Sequence, residues 1–255
     1  MMIAFVFAGV MNVGSYWFSD KIVLALYRAQ PLEEEHEIHG LVREIAQRAH
    51  MPMPRIYRIP SYAPNAFATG RNPEHGVVVV SDGLLKILNT EELKGVLSHE
   101  MGHIKNRDTM ISAIAATIAS CIVMIANMAR WAAIFGGMGG RRDENDRHGG
   151  VLGFLFMAIL APLAASLIQM AISRSREFQA DATGAQLSGS SHGLICALQK
   201  IHAAAQQIPL EKATPATAHL FIVNPFPLGS FIKLFSTHPP IEQRIERLKN
   251  YRAYV

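Results

Sequence analysis

Two long stretches of this chain carry no acidic or basic side chain. Met110 to Ala129 runs for twenty residues and Gly149 to Ser173 for twenty-five. A helix of about 20 apolar residues crosses a hydrocarbon core of roughly 30 Å. In lipid the backbone must satisfy its own hydrogen bonds, which leaves the helix or the closed barrel. The first run is rich in Ala113, Ala115, Ala116, Ala119 and Ser120, small residues that let membrane helices approach closely. The second contains Pro162, which membrane helices tolerate. Between them lies the hydrophilic GGRRDENDRHGG. The spacing predicts a transmembrane helical hairpin over residues 109–173, with its polar loop at 139–149 and both ends on one side of the bilayer. Composition agrees: half the residues are hydrophobic and 17% are charged, against about a quarter in soluble domains.

The start of the chain has the same character. Met1 to Phe18 (MMIAFVFAGVMNVGSYWF) is uncharged and ends on Tyr16 and Trp17, aromatic residues that favour the membrane interface. Residues 1–19 are therefore expected to form an N-terminal span, near the lower limit of length. No charged start or small-residue cleavage site marks a signal peptide. The net charge of +4 comes without any run of five Lys or Arg, which argues against nucleic acid and suits an anionic lipid bilayer. The two cysteines, Cys121 and Cys196, fall in unrelated segments, so no disulfide is expected.

Soluble segments lie between these runs. Pro31 to His50 has the apolar spacing of an amphipathic helix (Ile38, Leu41, Val42, Ile45), preceded by Glu33, Glu34 and Glu35. RIYRI (55–59), NAFAT (65–69) and VVVV (77–80) read as short strands, the last two as a hairpin across GRNPEHG. Thr90 has the look of an N-cap for a helix running through His103. Further helices are expected at about 174–187, 194–207 and 241–253. The catalytic domain would then have a first part at 30–108 and a second at 174–255.

The chemistry begins at HEMGH, residues 99–103. On a helix His99 and His103 lie one turn apart on one face, and two neutral imidazoles so placed can reach one zinc ion. Glu100, offset around the helix, is placed to take a proton from an attacking water. A catalytic zinc wants three protein ligands and an open position. The leading source of the third is REFQAD, where Glu177 and Asp181 are four apart on an expected helix. The first carboxylate can bind metal, and the second can fix the tautomer of a ligand histidine. The hairpin brings Glu177 back to the side where His103 left. HEIH at His36–His39 has metal-like spacing too, but it sits among glutamates at a helix start and reads as a solvated face.

HEMGH, SRSREFQAD, PNAFATGRNPEHG and FSTHPPIEQRI, in this order, resemble the HtpX family of bacterial membrane metalloproteases, whose superfamily includes the CaaX prenyl proteases. The resemblance covers nearly the whole chain from about Met11. It implies a mainly α fold with a small β-sheet, an integral membrane metallopeptidase of gluzincin type with the helical hairpin inserted in its catalytic domain. It implies one Zn2+ held by His99, His103 and Glu177, with Glu100 as base and Asp181 behind a ligand histidine. By the same likeness His238 stabilises the oxyanion with support from Arg244, and Asn65, Ala66 and Phe67 contact an extended substrate peptide. The implied role is quality control of misfolded or damaged membrane proteins at the bacterial inner membrane, acting on membrane-protein or unfolded polypeptide substrates and responding to stress. Family members usually begin with two spans where this chain has room for one, so an upstream segment is expected.

Charge gives an independent view of topology. Lys21, Arg28, Lys94, Lys105, Arg107, Arg174 and Arg176 flank the runs on the catalytic side, against Arg141, Arg142 and Arg147 in the loop. The positive-inside rule then places a multi-pass chain with its active site toward the cytoplasm. Two alternatives remain at this point. One is cleavage of prenylated peptides, for which three spans enclose no chamber. The other is a non-enzymatic membrane scaffold with structural zinc, for which the cysteine-rich closed ligand set is missing. Self-association into a homo-oligomer stays open.

Overall fold

The computed structural model describes residues 2–136, 144–206, 222 and 238–251. The chain is mainly helical with one small mixed sheet. Helices α1 (Met2–Trp17) and α2 (Ser19–Leu26) come first, then strand β1 (Gln30–Pro31) and helix α3 (Glu37–Ala49). Strands β2 (Arg55–Ile59), β3 (Ala66–Thr69) and β4 (Val77–Ser81) follow, and then α4 (Asp82–Ile87) and α5 (Thr90–Lys105). Two long helices, α6 (Asp108–Gly136) and α7 (Glu144–Ser188), precede α8 (His192–Ala205) and α9 (Ile241–Lys249).

The sheet has the order β1-β2-β4-β3. β4 pairs parallel with β2 and antiparallel with β3, so the expected hairpin across GRNPEHG is present. The run of four valines is buried on both faces, as a central strand requires. Val78 and Val80 join Ile56 and Ala66 in the main core, with Ile38, Val42 and Ile45 of α3 and Leu93, Val96 and Leu97 of α5. Val77 and Val79 face the other way with Ile59 and Phe67, covered by Val23 and Leu24 of α2. β3 is left at the edge of the sheet, beside α5.

α5 is the axis of the fold. Asn89, not Thr90, caps it: the Asn89 side chain accepts from the Glu92 amide and the Glu92 carboxylate accepts from the Asn89 amide, each at 2.9 Å. An amide oxygen one residue earlier completes a capping box that the Thr90 hydroxyl cannot. Nearly every residue from Glu92 to Ile104 is buried, so this helix is enclosed all round. Close approach is possible because glycines line its contacts. A Cβ on Gly95 would stand 2.5 Å from the Leu194 amide nitrogen of α8, and one on Gly184 of α7 would stand 2.9 Å from the His99 backbone.

α7 departs from expectation in length. The helix expected to start near residue 174 is the last third of one continuous helix of 45 residues that passes Pro162 without a break. No glycine or proline lies near 174 to stop it, and the Ser175 hydroxyl, which could have capped a new helix, donates back to the Ile172 carbonyl instead. α3 begins later than expected, at Glu37, because His36 takes the N-cap position and leaves Glu33, Glu34 and Glu35 outside. Among the described residues one helix, over Asp108–Ala129, is long and apolar enough to cross a membrane. Only 11% of its most apolar window is buried, and Ile114, Ile118 and Ile125 are more than half exposed. Such a stripe is unusual on a water-facing surface. Residues 139–143 of the expected polar loop lie outside the described residues, and 144–149, expected as loop, are the first turns of α7.

Candidate metal centre

His99 and His103 project from one face of α5, Glu177 from α7. One ligand atom from each lies within 4.8 Å of the other two. The two Nε2 atoms are 3.1 Å apart, and Glu177 approaches them with Oε2 at 3.7 Å from His99 and Oε1 at 3.6 Å from His103. Tetrahedral ligation at roughly 2.0–2.1 Å sets ligand atoms about 3.4 Å apart, so this donor set fits a zinc-like ion. Glu177 Oε2 is buried and accepts no hydrogen bond of good geometry among the described residues. His238 Nδ1 and Arg244 Nη1 are nevertheless within ion-pair distance of it, at 3.2 and 3.3 Å.

Each histidine is held from behind by a different aspartate. His99 Nδ1 is 3.0 Å from Asp181 of α7. Asp181 in turn accepts two hydrogen bonds from the fully buried Arg244 of α9, at 2.9 and 2.6 Å. His103 Nδ1 is 2.5 Å from Asp108 Oδ2, and Arg176 Nη1 donates to Asp108 Oδ1 at 2.9 Å. With Nδ1 occupied in this way, both rings turn Nε2 toward Glu177.

The electrostatics follow from burial and pairing. Burial opposes charge on Asp181, but the Arg244 guanidinium and the bond from His99 outweigh it and hold the carboxyl down at about 2. Burial likewise works against ionised Glu177, yet His238, Arg244 and His103 keep its carboxyl well below the usual carboxylate range. For His103 burial favours the neutral ring. The bond to Asp108 and the charges of Glu177 and Glu100 prevail and raise it to about 9 in the metal-free protein.

Glu100 and His238 are buried side chains that line the same cleft of about 210 Å³ as the three ligands. Ala66 and Phe67 line it as well, since β3 forms one wall. Asn65 is placed differently. It is buried, its side-chain oxygen accepts from the Ile222 amide at 3.1 Å, and it is not among the cleft-lining residues. A larger groove, about 760 Å³, lies between α6 and α7, and among the described residues no titratable side chain lines it.

The family model for peptidase family M48 matches residues 32–252. The chain belongs to peptidase family M48. Its HExxH helix and downstream glutamate therefore belong to a metallopeptidase. The protease HtpX homolog of Syntrophobacter fumaroxidans is 59% identical over 98% of this chain and 89% of its own length. Those of Desulforapulum autotrophicum and Pyrococcus furiosus are 54% and 53% identical, each over 98% of this chain and 81% and 86% of their own. Among solved structures, Ste24p of S. mikatae superposes with a TM-score of 0.64 over 97% of this chain and 58% of that one. At 22% identity that likeness speaks to the fold.

Asp108 and Arg176 were missed by sequence reasoning, which weighed Arg176 only as a flanking positive charge. Asp108 lies five residues beyond His103, which on a continuous helix is about 140° away around the axis. The signal is a break that spacing alone does not reveal: Arg107 adopts a left-handed backbone, φ 56°, between α5 and α6. The His36 and His39 pair serves local structure instead. His36 caps α3 and His39 Nε2 lies 3.3 Å from the Leu32 carbonyl oxygen. Both cysteines are free.

Proposed function

We propose that this chain is a membrane-bound zinc endopeptidase that cleaves misfolded or damaged membrane proteins on the cytoplasmic side of the bacterial inner membrane. The observation that carries the reading is the convergence of His99, His103 and Glu177 beside an apolar, largely exposed helix that starts at Asp108. The HtpX homologues at 53–59% identity support the protease assignment, and the Lys/Arg excess around the catalytic side supports its orientation.

His99, His103 and Glu177 would hold the metal. Bound there, zinc supplies Lewis acidity that polarises the scissile carbonyl and makes water easier to deprotonate. Glu100 takes the proton of the attacking water and delivers it to the leaving amine. Asp181 keeps the His99 ring in register, with Arg244 neutralising the buried carboxylates. His238, in the cleft beside Glu177, donates to the oxyanion as the carbonyl becomes tetrahedral. β3 offers an unpaired strand edge, among the described residues, to which an extended peptide adds along Ala66 and Phe67. That mode reads backbone more than side chains, which suits unfolded substrates.

The test is Glu100→Gln in the full chain reconstituted in liposomes, with a destabilised membrane protein and a farnesylated peptide as parallel substrates. Cleavage of the membrane protein should fall by roughly 10²–10⁴-fold while zinc stays near one per chain. Undiminished cleavage removes Glu100 as base. Preference of the wild type for the farnesylated peptide replaces the substrate assignment.

A further inference from the structure

Asp108 is the first residue of α6, and Arg176 lies on the far stretch of α7, 68 positions later. Both residues are buried. The two oxygens of Asp108 are divided between two partners: Oδ2 faces His103 Nδ1 and Oδ1 accepts from Arg176. The guanidinium thus holds the carboxylate by one oxygen while the other oxygen faces the imidazole. The chain also adopts an uncommon conformation to deliver it. Arg107 sits at φ 56° without being glycine, a backbone state that costs of order 1 kcal/mol and persists where its surroundings demand it. A helix continued through residue 107 would carry Asp108 away from His103.

We propose that Asp108 and Arg176 are a pair of positioning residues for the metal: Arg176 fixes Asp108, and Asp108 fixes the His103 ring with Nε2 turned toward Glu177. The proposal rests on the metal reading above and goes beyond it. His99 is oriented through Asp181 and Arg244, from α7 and α9. His103 is oriented from α6 and α7 alone, the long apolar pair. Metal affinity therefore depends on how the near ends of α6 and α7 dock. A merely structural ion pair between those helices would stabilise the fold with or without metal. A positioning pair changes the affinity and geometry of the metal itself.

The experiment measures zinc affinity of the full chain in detergent by competition with a chromophoric chelator. The variants are Asp108→Asn, Asp108→Ala, Arg176→Met and the Asp108→Ala/Arg176→Met double variant. The visible spectrum of the cobalt-substituted protein and the melting curve of the metal-free protein accompany each. Loss of such a carboxylate behind a ligand histidine lowers affinity roughly 10–100-fold, and that loss is expected for Asp108→Ala with a changed cobalt spectrum. Asp108→Asn, which keeps the size of the side chain, should lose several-fold and answers the question if the alanine variant does not fold. Arg176→Met should weaken zinc binding in the wild-type background and add nothing to Asp108→Ala. Zinc affinity of Asp108→Asn within twofold of wild type overturns the proposal. So does an Arg176→Met effect that is as large without Asp108 as with it. Failure of the wild-type chain to bind zinc overturns the metal reading itself, and this inference with it.

Discussion

Gly184→Ala tests how tightly the two ligand-bearing helices are set against each other. Gly184 lies on α7 two turns after Glu177, on the same face, where α7 crosses α5. A methyl group there would come within 2.9 Å of both N and Cα of His99 and 3.2 Å of the Ser98 carbonyl carbon. Non-bonded heavy atoms rest at about 3.5–4.0 Å, so the helices must part by about 0.6 Å or more. The obstructing atoms are backbone and cannot rotate aside. Overpacking of this kind costs about 1–3 kcal/mol, which in a chain of this length lowers Tm by a few degrees. The same movement draws Glu177 away from His99. A misplacement of about 1 Å can cost 10²-fold in rate, so proteolysis should fall by roughly an order of magnitude or more and zinc affinity with it. The assay compares Tm, zinc affinity and cleavage rate for Gly184→Ala and for Gly40→Ala. Gly40 lies in α3 with nothing within 4 Å of an added Cβ, so alanine there should raise stability by about 0.5–1 kcal/mol. Wild-type zinc affinity and Tm in Gly184→Ala would show that the α5–α7 contact does not set the metal geometry.

Two further outcomes follow from the charges around the site. Arg244→Met leaves Asp181 and Glu177 as buried carboxylates without their cation and should cost about 3–5 kcal/mol in denaturant unfolding; Lys in its place should restore only part, since it cannot bridge both carboxylates as a fork. A loss below 1 kcal/mol would remove Arg244 as their counter-charge. In the metal-free protein His103 titrates near 9, above its ordinary 6.5. Its contribution to metal-free stability is therefore present in full below pH 6.5 and is lost as pH rises through about 9. Because zinc needs the neutral ring, uptake at pH 7 must expel that proton, and affinity should climb with pH toward 9. Calorimetry of zinc binding in two buffers of different ionisation enthalpy reads the proton directly; equal heats would refute it.

Much of this was legible because the signals were short-range. The alternation in RIYRI, the run of valines and the glycine-rich turn before it specify a sheet by local propensity, and the strands appear at 55–59, 66–69 and 77–81. HEMGH specifies two ligand positions through helix periodicity alone. The third needed a long-range argument, and the packing of α7 on α5 is what brings Glu177 within reach. What stayed hidden depends on backbone geometry between elements. The left-handed turn at Arg107, the one-residue shift of the α5 cap to Asn89, and the absence of a break in α7 near 174 leave no mark on the apolar periodicity. Asn65 shows a subtler limit: the bond its side chain accepts from the Ile222 amide spans 157 positions and no local pattern announces it.

The ligands' distribution along the chain has a consequence for biosynthesis. His103 and Glu177 are 74 positions apart, and the whole of α6 and most of α7 are made between them. A growing chain displays HEMGH long before it owns the acid that completes the set. Arg244, which neutralises that acid, arrives 67 positions later still. A half-made or wrongly docked molecule therefore has no working blade. The set is assembled only by the packing of α7 on α5 that also completes the core of the fold.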